Sequence, residues 1–447
     1  APMPFDYIRS EGKAGRMGSR LMAIVAEGPN GRVYLPPSEE HVEIARKAVP
    51  SWVPDADLPY NPRDFKTPNY GMKRFADLFT PRQLVALNTF SDLIGEVRER
   101  VRQDAAAAGM ADDGVPLREG GTGATAYADA VATYLGFAVD RLSDRNSTIC
   151  GWDVTRDNVR NTFARQAIPM VWDFAEANPM SESTGNFYGA VQWVSEVIEG
   201  VSCNTIGMAK QMDATTAVNG VEHPVISTDP PYYDNIGYAD LSDFFYVWLR
   251  RSLQDIYPDL FSTMLVPKEA ELVATPYRFD GDKEKAKRFF EEGLKTAFSH
   301  MRKASHPDYP LTVYYAFKQT EATNDSIEGE EIASTGWETM LEGLIRSGFA
   351  ITGTWPMRTE LANRTVASGS NALASSIVLV CRPRPEEAPR VTRRDFLRAL
   401  KRELPEALRK LQQGNIAPVD LAQAAIGPGM AVFSRYGKVI ESDGTPM

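Results

Sequence analysis

Four consecutive residues, Asp229-Pro230-Pro231-Tyr232, place a carboxylate, two prolines and an aromatic ring directly after an apolar run. A carboxylate can accept one N–H of an amine, and a backbone carbonyl within the Pro-Pro step can accept the other. The two prolines fix φ and remove two N–H donors, so these carbonyls are presented without competing donors. The aromatic ring offers a flat face to a base taken out of its stack. This tetrad therefore indicates a site that binds and polarises a planar amine.

The same string is also typical of an ordinary turn, in which Tyr232 would simply cover a core. The flanking residues favour the functional interpretation. Residues 224–228 predict a short buried strand, and residues 233–238 predict an aromatic loop that leads into a helix. A strand that ends in the tetrad would present the carboxylate at the edge of a sheet.

A second carboxylate, Asp213, closes a strand predicted to begin near Thr205. In α/β sheets, ligands bind at the carboxyl ends of parallel strands. Asp213 and Asp229 are both predicted at such ends, so we expect them to line one crevice. The alternative for Asp213 is a turn residue that ends its strand.

Two further aromatic residues, Tyr233 and Phe244, are candidates for the walls of a base pocket. Aromatic stacking is the usual support for an extruded base. The alternative for Phe244, a core position within an aromatic helix, is the favoured interpretation.

Composition narrows the class of protein. The chain has 447 residues, 43% of them hydrophobic and 24% charged, which is ordinary for a globular protein of more than one domain. It contains no apolar run near the ~20 residues of a membrane span. The three cysteines are scattered and form no Cys-x-x-Cys pair, which fits a reducing cytoplasm, and the four histidines have no metal-ligand spacing. We therefore expect a cytoplasmic protein with no metal and no membrane partner.

A net charge of −10 argues mildly against a DNA partner, although nucleic-acid contacts need only a local basic surface. One such surface is predicted in residues 390–410. The alternative is a solvated amphipathic helix with Phe396, Leu397, Leu400 and Leu404 facing inward, and we favour it. The basic residues of the segment are Arg390, Arg393, Arg394, Arg398, Lys401, Arg402, Arg409 and Lys410.

The pattern of elements changes near residue 200. Before it the sequence is mostly helical, and a helix is expected to begin at Thr80 as N-cap with Pro81 in the first position. Further helices are predicted over residues 125–144, 158–175 and 187–199. After residue 200, strands and helices alternate, which predicts an α/β sheet, mostly parallel and covered on both faces. The strands are predicted at residues 205–213, 224–228, 311–318, 349–355 and 375–381, and the helices at 241–253, 283–304 and 335–347.

These segments give four predicted regions. Residues 1–80 form an irregular arm or connector, and residues 81–200 form a helical insertion that we associate with target recognition. Residues 201–385 form the α/β core, and residues 386–447 form a helical carboxy-terminal extension.

Residues 227–249, 334–339 and 371–380 together resemble prokaryotic adenine-specific DNA methylases that carry a zinc-ribbon insert. The resemblance implies a class I, Rossmann-like methyltransferase sheet with a large helical insertion. It implies methyl transfer from S-adenosyl-L-methionine to the N6 amine of a flipped adenine in DNA. By the same resemblance the tetrad is catalytic, and Asp213 hydrogen-bonds the adenine amine of the cofactor.

The chain also departs from that family. No Phe-x-Gly-x-Gly cofactor loop is present, and the zinc-ribbon cysteines are missing. The nearest candidate loop, residues 120–123, precedes a helix, but residues 111–119 before it do not read as a strand. We therefore expect an incomplete methyltransferase core, part of a longer enzyme, with the missing amino-terminal part or other subunits of a defence system as partners.

Two other functions stay open at this point. One is a non-catalytic DNA-binding or defence-complex subunit that keeps the fold without the cofactor. The other is methylation of a different amine, such as cytosine N4 or a base in RNA.

Overall fold

The structure, a computed structural model, describes residues 3–201, 205, 207–216, 218, 220–233, 236–315, 327–358, 375–413 and 418–447. The chain forms two units. Unit 1 comprises Ala1–Lys210 and Tyr238–Glu269, and unit 2 comprises Gln211–Gly237 and Ala270–Met447. The segment after the tetrad thus returns to unit 1, and the predicted insertion and core are interleaved along the chain. None of the described helices combines the length and the apolar composition needed to cross a bilayer.

Unit 1 is mainly helical, with two short antiparallel strand pairs, Ile24–Gly28 with Gly31–Leu35 and Trp152–Asp153 with Asn158–Val159. Its helices are α1 (Phe5–Lys13), α2 (Glu39–Arg46), α3 (Pro81–Ala107), α4 (Ala124–Ser143), α5 (Phe187–Gly200) and α6 (Tyr238–Leu253). Its strands are β1 (Ile24–Gly28), β2 (Gly31–Leu35), β3 (Trp152–Asp153) and β4 (Asn158–Val159).

The predicted start of α3 is confirmed. The N–H of Gln83 donates to the hydroxyl of Thr80 over 3.3 Å, and the side-chain oxygen of Gln83 accepts the N–H of Thr80 over 2.8 Å. This reciprocal capping box satisfies two backbone donors that the first turn of a helix leaves without partners. Pro81 occupies the first helical position, where a missing N–H costs nothing.

Replacing Thr80 by alanine is expected to lower the free energy of unfolding by about 1 kcal/mol, because the cap would lose its hydroxyl acceptor. Urea unfolding followed by circular dichroism measures the change. Thr80→Ser is the matched control, since serine keeps the hydroxyl and should stay within a few tenths of a kcal/mol. Equal losses in both variants would contradict a capping role.

The predicted helix over residues 158–175 is wrong. Only β4 is regular there, because the backbone donors of this segment are taken by distant partners. The N–H of Thr162 donates to the carbonyl of Asp144, and the N–H of Ile168 donates to the carbonyl of Asp64.

Unit 2 contains a four-stranded sheet with helices packed against it and a small parallel strand pair near its carboxyl end. Its strands are β5 (Ser227–Thr228), β6 (Leu311–Tyr315), β7 (Phe349–Arg358), β8 (Ser375–Pro383), β9 (Arg390–Thr392) and β10 (Lys438–Ile440). Its helices are α7 (Lys283–Ala304), α8 (Ile327–Arg346), α9 (Arg393–Gln413) and α10 (Pro418–Ser434).

The main sheet has the order β5-β6-β8-β7 and is mixed. β5 pairs with β6 in parallel, whereas β8 pairs antiparallel with both β6 and β7. The fold is therefore mixed α/β, and the expectation of a mostly parallel sheet is not confirmed by the strand pairs. Because β8 is inserted against the direction of its two neighbours, β5, β6 and β7 still run the same way.

One apolar core joins this sheet to α7 and α8. Phe290, Leu294 and Phe298 of α7 are at most 3% exposed, as are Val313 of β6 and Leu344 of α8. Burial of such side chains is the main favourable term in folding. The helix predicted over 283–304 is confirmed, and the strands predicted at 311–318, 349–355 and 375–381 are confirmed over their described residues.

Candidate active site

The tetrad begins where β5 ends. The strand predicted over residues 224–228 is regular only at Ser227 and Thr228, which lie opposite Thr312 and Val313 of β6. Just before them, the carbonyl of Ile226 accepts the N–H of Thr312 over 3.0 Å. These parallel contacts fix Asp229 as the first residue beyond the carboxyl end of a strand, as the sequence predicted.

The ends of three strands define one edge of the sheet in unit 2. Since β5, β6 and β7 share a direction, their carboxyl ends lie at this edge, which we call the carboxyl edge. The register agrees, because Tyr315 at the end of β6 pairs with Ile377 near the start of β8, and Arg358 pairs with Ser375. The tetrad is therefore at the edge where α/β sheets bind ligands.

Asp229 carries an exposed carboxylate within reach of one hydroxyl. The Tyr232 hydroxyl donates to Oδ1 of Asp229 over 3.4 Å, a long bond that a ligand donor could replace. Partial burial raises the pKa of the Asp229 carboxyl above its ordinary value, and the Tyr232 hydroxyl lowers it. The carboxylate is thus a hydrogen-bond acceptor with little competition from other described groups.

The ring of Tyr232 packs against Tyr315 of β6. It meets the ring of Tyr315 edge to face, with centroids 5.4 Å apart and an interplanar angle of 89°. Tyr315 is itself 1% exposed and donates its hydroxyl to the carbonyl of Gly336 over 3.3 Å. Trp337 packs on the same ring at 5.3 Å. Tyr232 is therefore half-buried on a rigid support.

Tyr233 turns the chain away from the tetrad. Its φ of 40° lies in the left-handed region, which is uncommon for a residue other than glycine. Its N–H donates to the carbonyl of Pro231 over 3.2 Å, and its own carbonyl accepts the N–H of Ala274 over 2.9 Å. The ring meets Phe290 of the core at 5.2 Å. This geometry shapes the turn and gives the predicted pocket wall at Tyr233 no direct support.

Phe244 lies in unit 1, in α6, and is 0% exposed. Its ring stacks on Phe79 at 5.5 Å and meets the edge of Phe163 at 5.3 Å. The structure thus gives Phe244 the core position that was its favoured alternative. A fully buried ring offers no face to a base.

Asp213 lies in an exposed turn instead of at a strand end. The described residues of 205–213 form no strand, and Asp213 Oδ1 accepts the N–H and the hydroxyl of Thr215, each over 2.8 Å. The N–H of Thr216 donates to the Asp213 carbonyl. These local bonds compete with strand formation, which explains the wrong prediction. The cofactor role of Asp213 stays a prediction from resemblance alone.

Searches found no matching family model, no similar curated protein and no similar solved structure. The site is described by its own residues: the tetrad, the supporting Tyr315 and the turn at Tyr233.

Three contributors to the site were missed in the sequence. Tyr315 and Phe290 support the rings of Tyr232 and Tyr233, and Ala274 fixes the Tyr233 carbonyl. Alternation along β6 was a usable signal for Tyr315, because residues 311, 313 and 315 are all buried. No local signal marks Ala274, since its bond to Tyr233 spans 41 positions.

Among the described residues, no three His, Cys, Asp or Glu side chains lie close enough together to hold a metal ion. The only predicted cofactor ligand, Asp213, already has one carboxylate oxygen engaged by Thr215.

Proposed function

We propose that this chain carries the target-amine side of an S-adenosylmethionine-dependent DNA methyltransferase that acts on the N6 amine of adenine. One observation carries the proposal: an exposed carboxylate, two prolines and a supported aromatic ring follow the carboxyl end of a strand at the ligand-binding edge of an α/β sheet. The class I, Rossmann-like fold is part of the proposal, and the shared direction of β5, β6 and β7 supports it.

The tetrad can activate an amine by accepting its two hydrogens. The lone pair of an exocyclic amine is delocalised into the base, so the nitrogen is a poor nucleophile. Asp229 would accept one N–H, and a tetrad carbonyl would accept the other. Because the Pro231 carbonyl accepts the N–H of Tyr233, we assign this role to the carbonyl of Pro230. Two acceptors placed in this way draw the nitrogen toward tetrahedral geometry.

The carboxylate also stabilises the charge of the reaction. As the nitrogen attacks the methyl group it becomes positive, and the preorganised negative charge of Asp229 stabilises this developing charge at little reorganisation cost. When bound, S-adenosylmethionine supplies the electrophilic methyl group. Since only the ionised form of Asp229 accepts an N–H in this way, activity should fall as the pH falls through its raised pKa.

The base itself must leave the duplex to reach this edge. Enzymes that modify a base extrude it into a pocket and support it by stacking. The half-buried ring of Tyr232, backed by Tyr315, is the face we assign to the extruded adenine.

The compartment that fits this proposal is the cytoplasm, and the buried free thiols of Cys150 and Cys381 are compatible with it.

The test has two stages. S-adenosylmethionine is titrated into the chain by calorimetry, and duplex DNA is then incubated with both and digested for mass analysis of its nucleosides. N6-methyladenine supports the proposal. If the chain alone does not bind the cofactor, the titration is repeated with any longer polypeptide that the same gene encodes. Absence of cofactor binding and of methylated nucleosides in both formats would overturn it.

Other outcomes select the alternatives. N4-methylcytosine, or a methylated base in RNA only, would identify another amine as the target. DNA binding that weakens steeply with salt but never yields a methylated nucleoside would favour a non-catalytic subunit. The same titration with Asp213→Asn tests the cofactor role of Asp213. Weakened cofactor binding would support this role, and unchanged binding would leave Asp213 with a role only in its local turn.

A further inference from the structure

Helix α9 separates its basic residues from its packed residues. Phe396 and Ala399 are 5% and 7% exposed and pack with Val432 and Val439. The opposite face of the helix carries basic side chains at spacings of 4, 7, 8 and 15 residues, which fall on one side of an α-helix. We call this the basic face: Arg394, Arg398, Lys401, Arg402 and Arg409, all exposed.

The helix is fixed in this orientation. Phe396 meets Phe433 edge to face at 5.5 Å, and Glu403 accepts two bonds from Arg435, of 2.8 and 3.0 Å. The Arg435 and Arg402 guanidinium groups lower the pKa of Glu403 to about 2, so this clamp stays charged at any ordinary pH. The basic face is therefore carried by a helix whose opposite side packs against α10.

The charges of the basic face are only weakly compensated. Residues 390–410 hold eight Lys and Arg against three Asp and Glu, a local charge of +5 in a chain of net charge −10. Arg398 pairs with Asp395 at 3.3 Å and Arg402 with Glu403 at 2.8 Å, but their side chains remain 66% and 74% exposed. Exposed pairs of this kind contribute only about 0–1 kcal/mol, so an anionic ligand can displace them. Within the described part of the chain, Arg394 and Lys401 form no ion pair.

We propose that the basic face of α9 binds the phosphate backbone of duplex DNA. From Arg394 to Arg409 the helix rises about 22 Å, enough to contact several phosphates of a polyanion with one charge per about 1.7 Å. A membrane surface fits less well, because amphipathic helices bind bilayers through an exposed apolar face, and Phe396 and Ala399 are packed inside the unit. The choice of DNA as the polyanion rests on the proposed function.

The test compares two triple variants by fluorescence anisotropy with a labelled duplex, over a series of salt concentrations and without cofactor. Arg394→Gln/Arg398→Gln/Lys401→Gln should weaken binding about 10- to 30-fold at low salt. It should also reduce the slope of log affinity against log salt by about 2 to 3, because each phosphate contact contributes about 0.9. Glutamine is a good helix former, so the helix should persist, which circular dichroism checks.

The matched control is Lys283→Gln/Lys285→Gln/Arg288→Gln, three exposed basic residues of α7 in the same unit. It changes the net charge equally and should leave the salt slope unchanged. An equal loss in both variants, or no loss in the α9 variant, would overturn the inference. So would a loss of binding to anionic vesicles or to duplex RNA with none to DNA.

Failure of the inference and failure of the proposed function remain distinguishable. Asp229→Ala should keep the salt slope of the wild-type protein, because it does not touch the basic face. If the α9 variant binds DNA normally while Asp229→Ala loses methylation, only the inference falls. If the α9 variant loses DNA binding but no preparation methylates DNA, only the proposed function falls.

Discussion

Replacing Asp229 by alanine is expected to slow adenine methylation by at least about 100-fold, with no loss of folding. Removing one preorganised hydrogen-bonding group from a transition state typically costs about 10²–10³ in rate. Asp229 is the only carboxylate of the tetrad, and its side chain is exposed and bonded to a single described hydroxyl, that of Tyr232. Replacing Asp229 therefore removes the proposed acceptor of the target amine and leaves the packing of the protein almost unchanged. The measurement is single-turnover methyl transfer to a labelled duplex, with the thermal midpoint recorded in parallel.

The matched control for this variant is Asp443→Ala. Asp443 is another exposed aspartate of unit 2, and its Oδ1 accepts the N–H and the hydroxyl of Thr445. The Asp443→Ala variant should keep full activity, which separates the effect of losing the tetrad carboxylate from the effect of losing any surface charge. Asp229→Asn should fall between alanine and the wild type, because it keeps an oxygen acceptor without the charge. Full activity in Asp229→Ala would remove the amine-binding role from the tetrad.

Features set by neighbouring residues were predictable from the sequence. The capping box at Thr80, the helix α7 and the strand end before Asp229 all depend on signals within a few positions, such as a hydroxyl before a proline or an apolar run before Asp-Pro-Pro. Such signals act through local backbone conformation, so their effect does not depend on distant parts of the chain.

Features set by distant partners were not predictable. The segment after Asn158 is not helical because Asp144 and Asp64 take its backbone donors, and neither partner is visible in its own sequence. Asp213 has a local side-chain alternative in Thr215 that outcompetes a strand. The return of α6 to unit 1 depends on aromatic packing with Phe79 and Phe163, which pattern alone cannot assign. Tertiary contact decided the first and the third of these cases, and a side-chain bond between residues two positions apart decided the case of Asp213.

The start of α6 also holds buried charges, and removing one partner should destabilise unit 1 strongly. Asp243 is 0% exposed, its Oδ2 pairs with Nζ of Lys268 at 2.7 Å, and its Oδ1 accepts the N–H of Val266 over 2.8 Å. Lys268→Met would leave the carboxylate buried without its cation. The expected loss is about 3–5 kcal/mol in the free energy of unfolding at neutral pH, measured by urea unfolding.

The pH dependence of this loss identifies its cause. Burial raises the pKa of Asp243 above its ordinary value, and Lys268 opposes that rise, whereas the nearby Asp240 adds to it. A carboxyl whose folded pKa is raised contributes stability that is fully present below the unfolded pKa and is lost as the pH rises through the folded pKa. Without Lys268 the folded pKa of Asp243 rises further. The free energy of unfolding of the variant therefore continues to fall with rising pH at values where that of the wild type no longer changes. Its deficit should therefore grow from acid toward neutral pH, by at most about 1.4 kcal/mol per pH unit.

The double variant Asp243→Asn/Lys268→Met separates the buried charge from the lost packing of the lysine stem. It removes both charges, so it should recover much of the stability and lose the added pH dependence, because no unpaired carboxylate remains to be protonated. A deficit in Lys268→Met that is the same at pH 5 and pH 8, and is unchanged in the double variant, would instead assign the loss to packing. In that case the Asp243–Lys268 ion pair would not be a main source of the stability of unit 1.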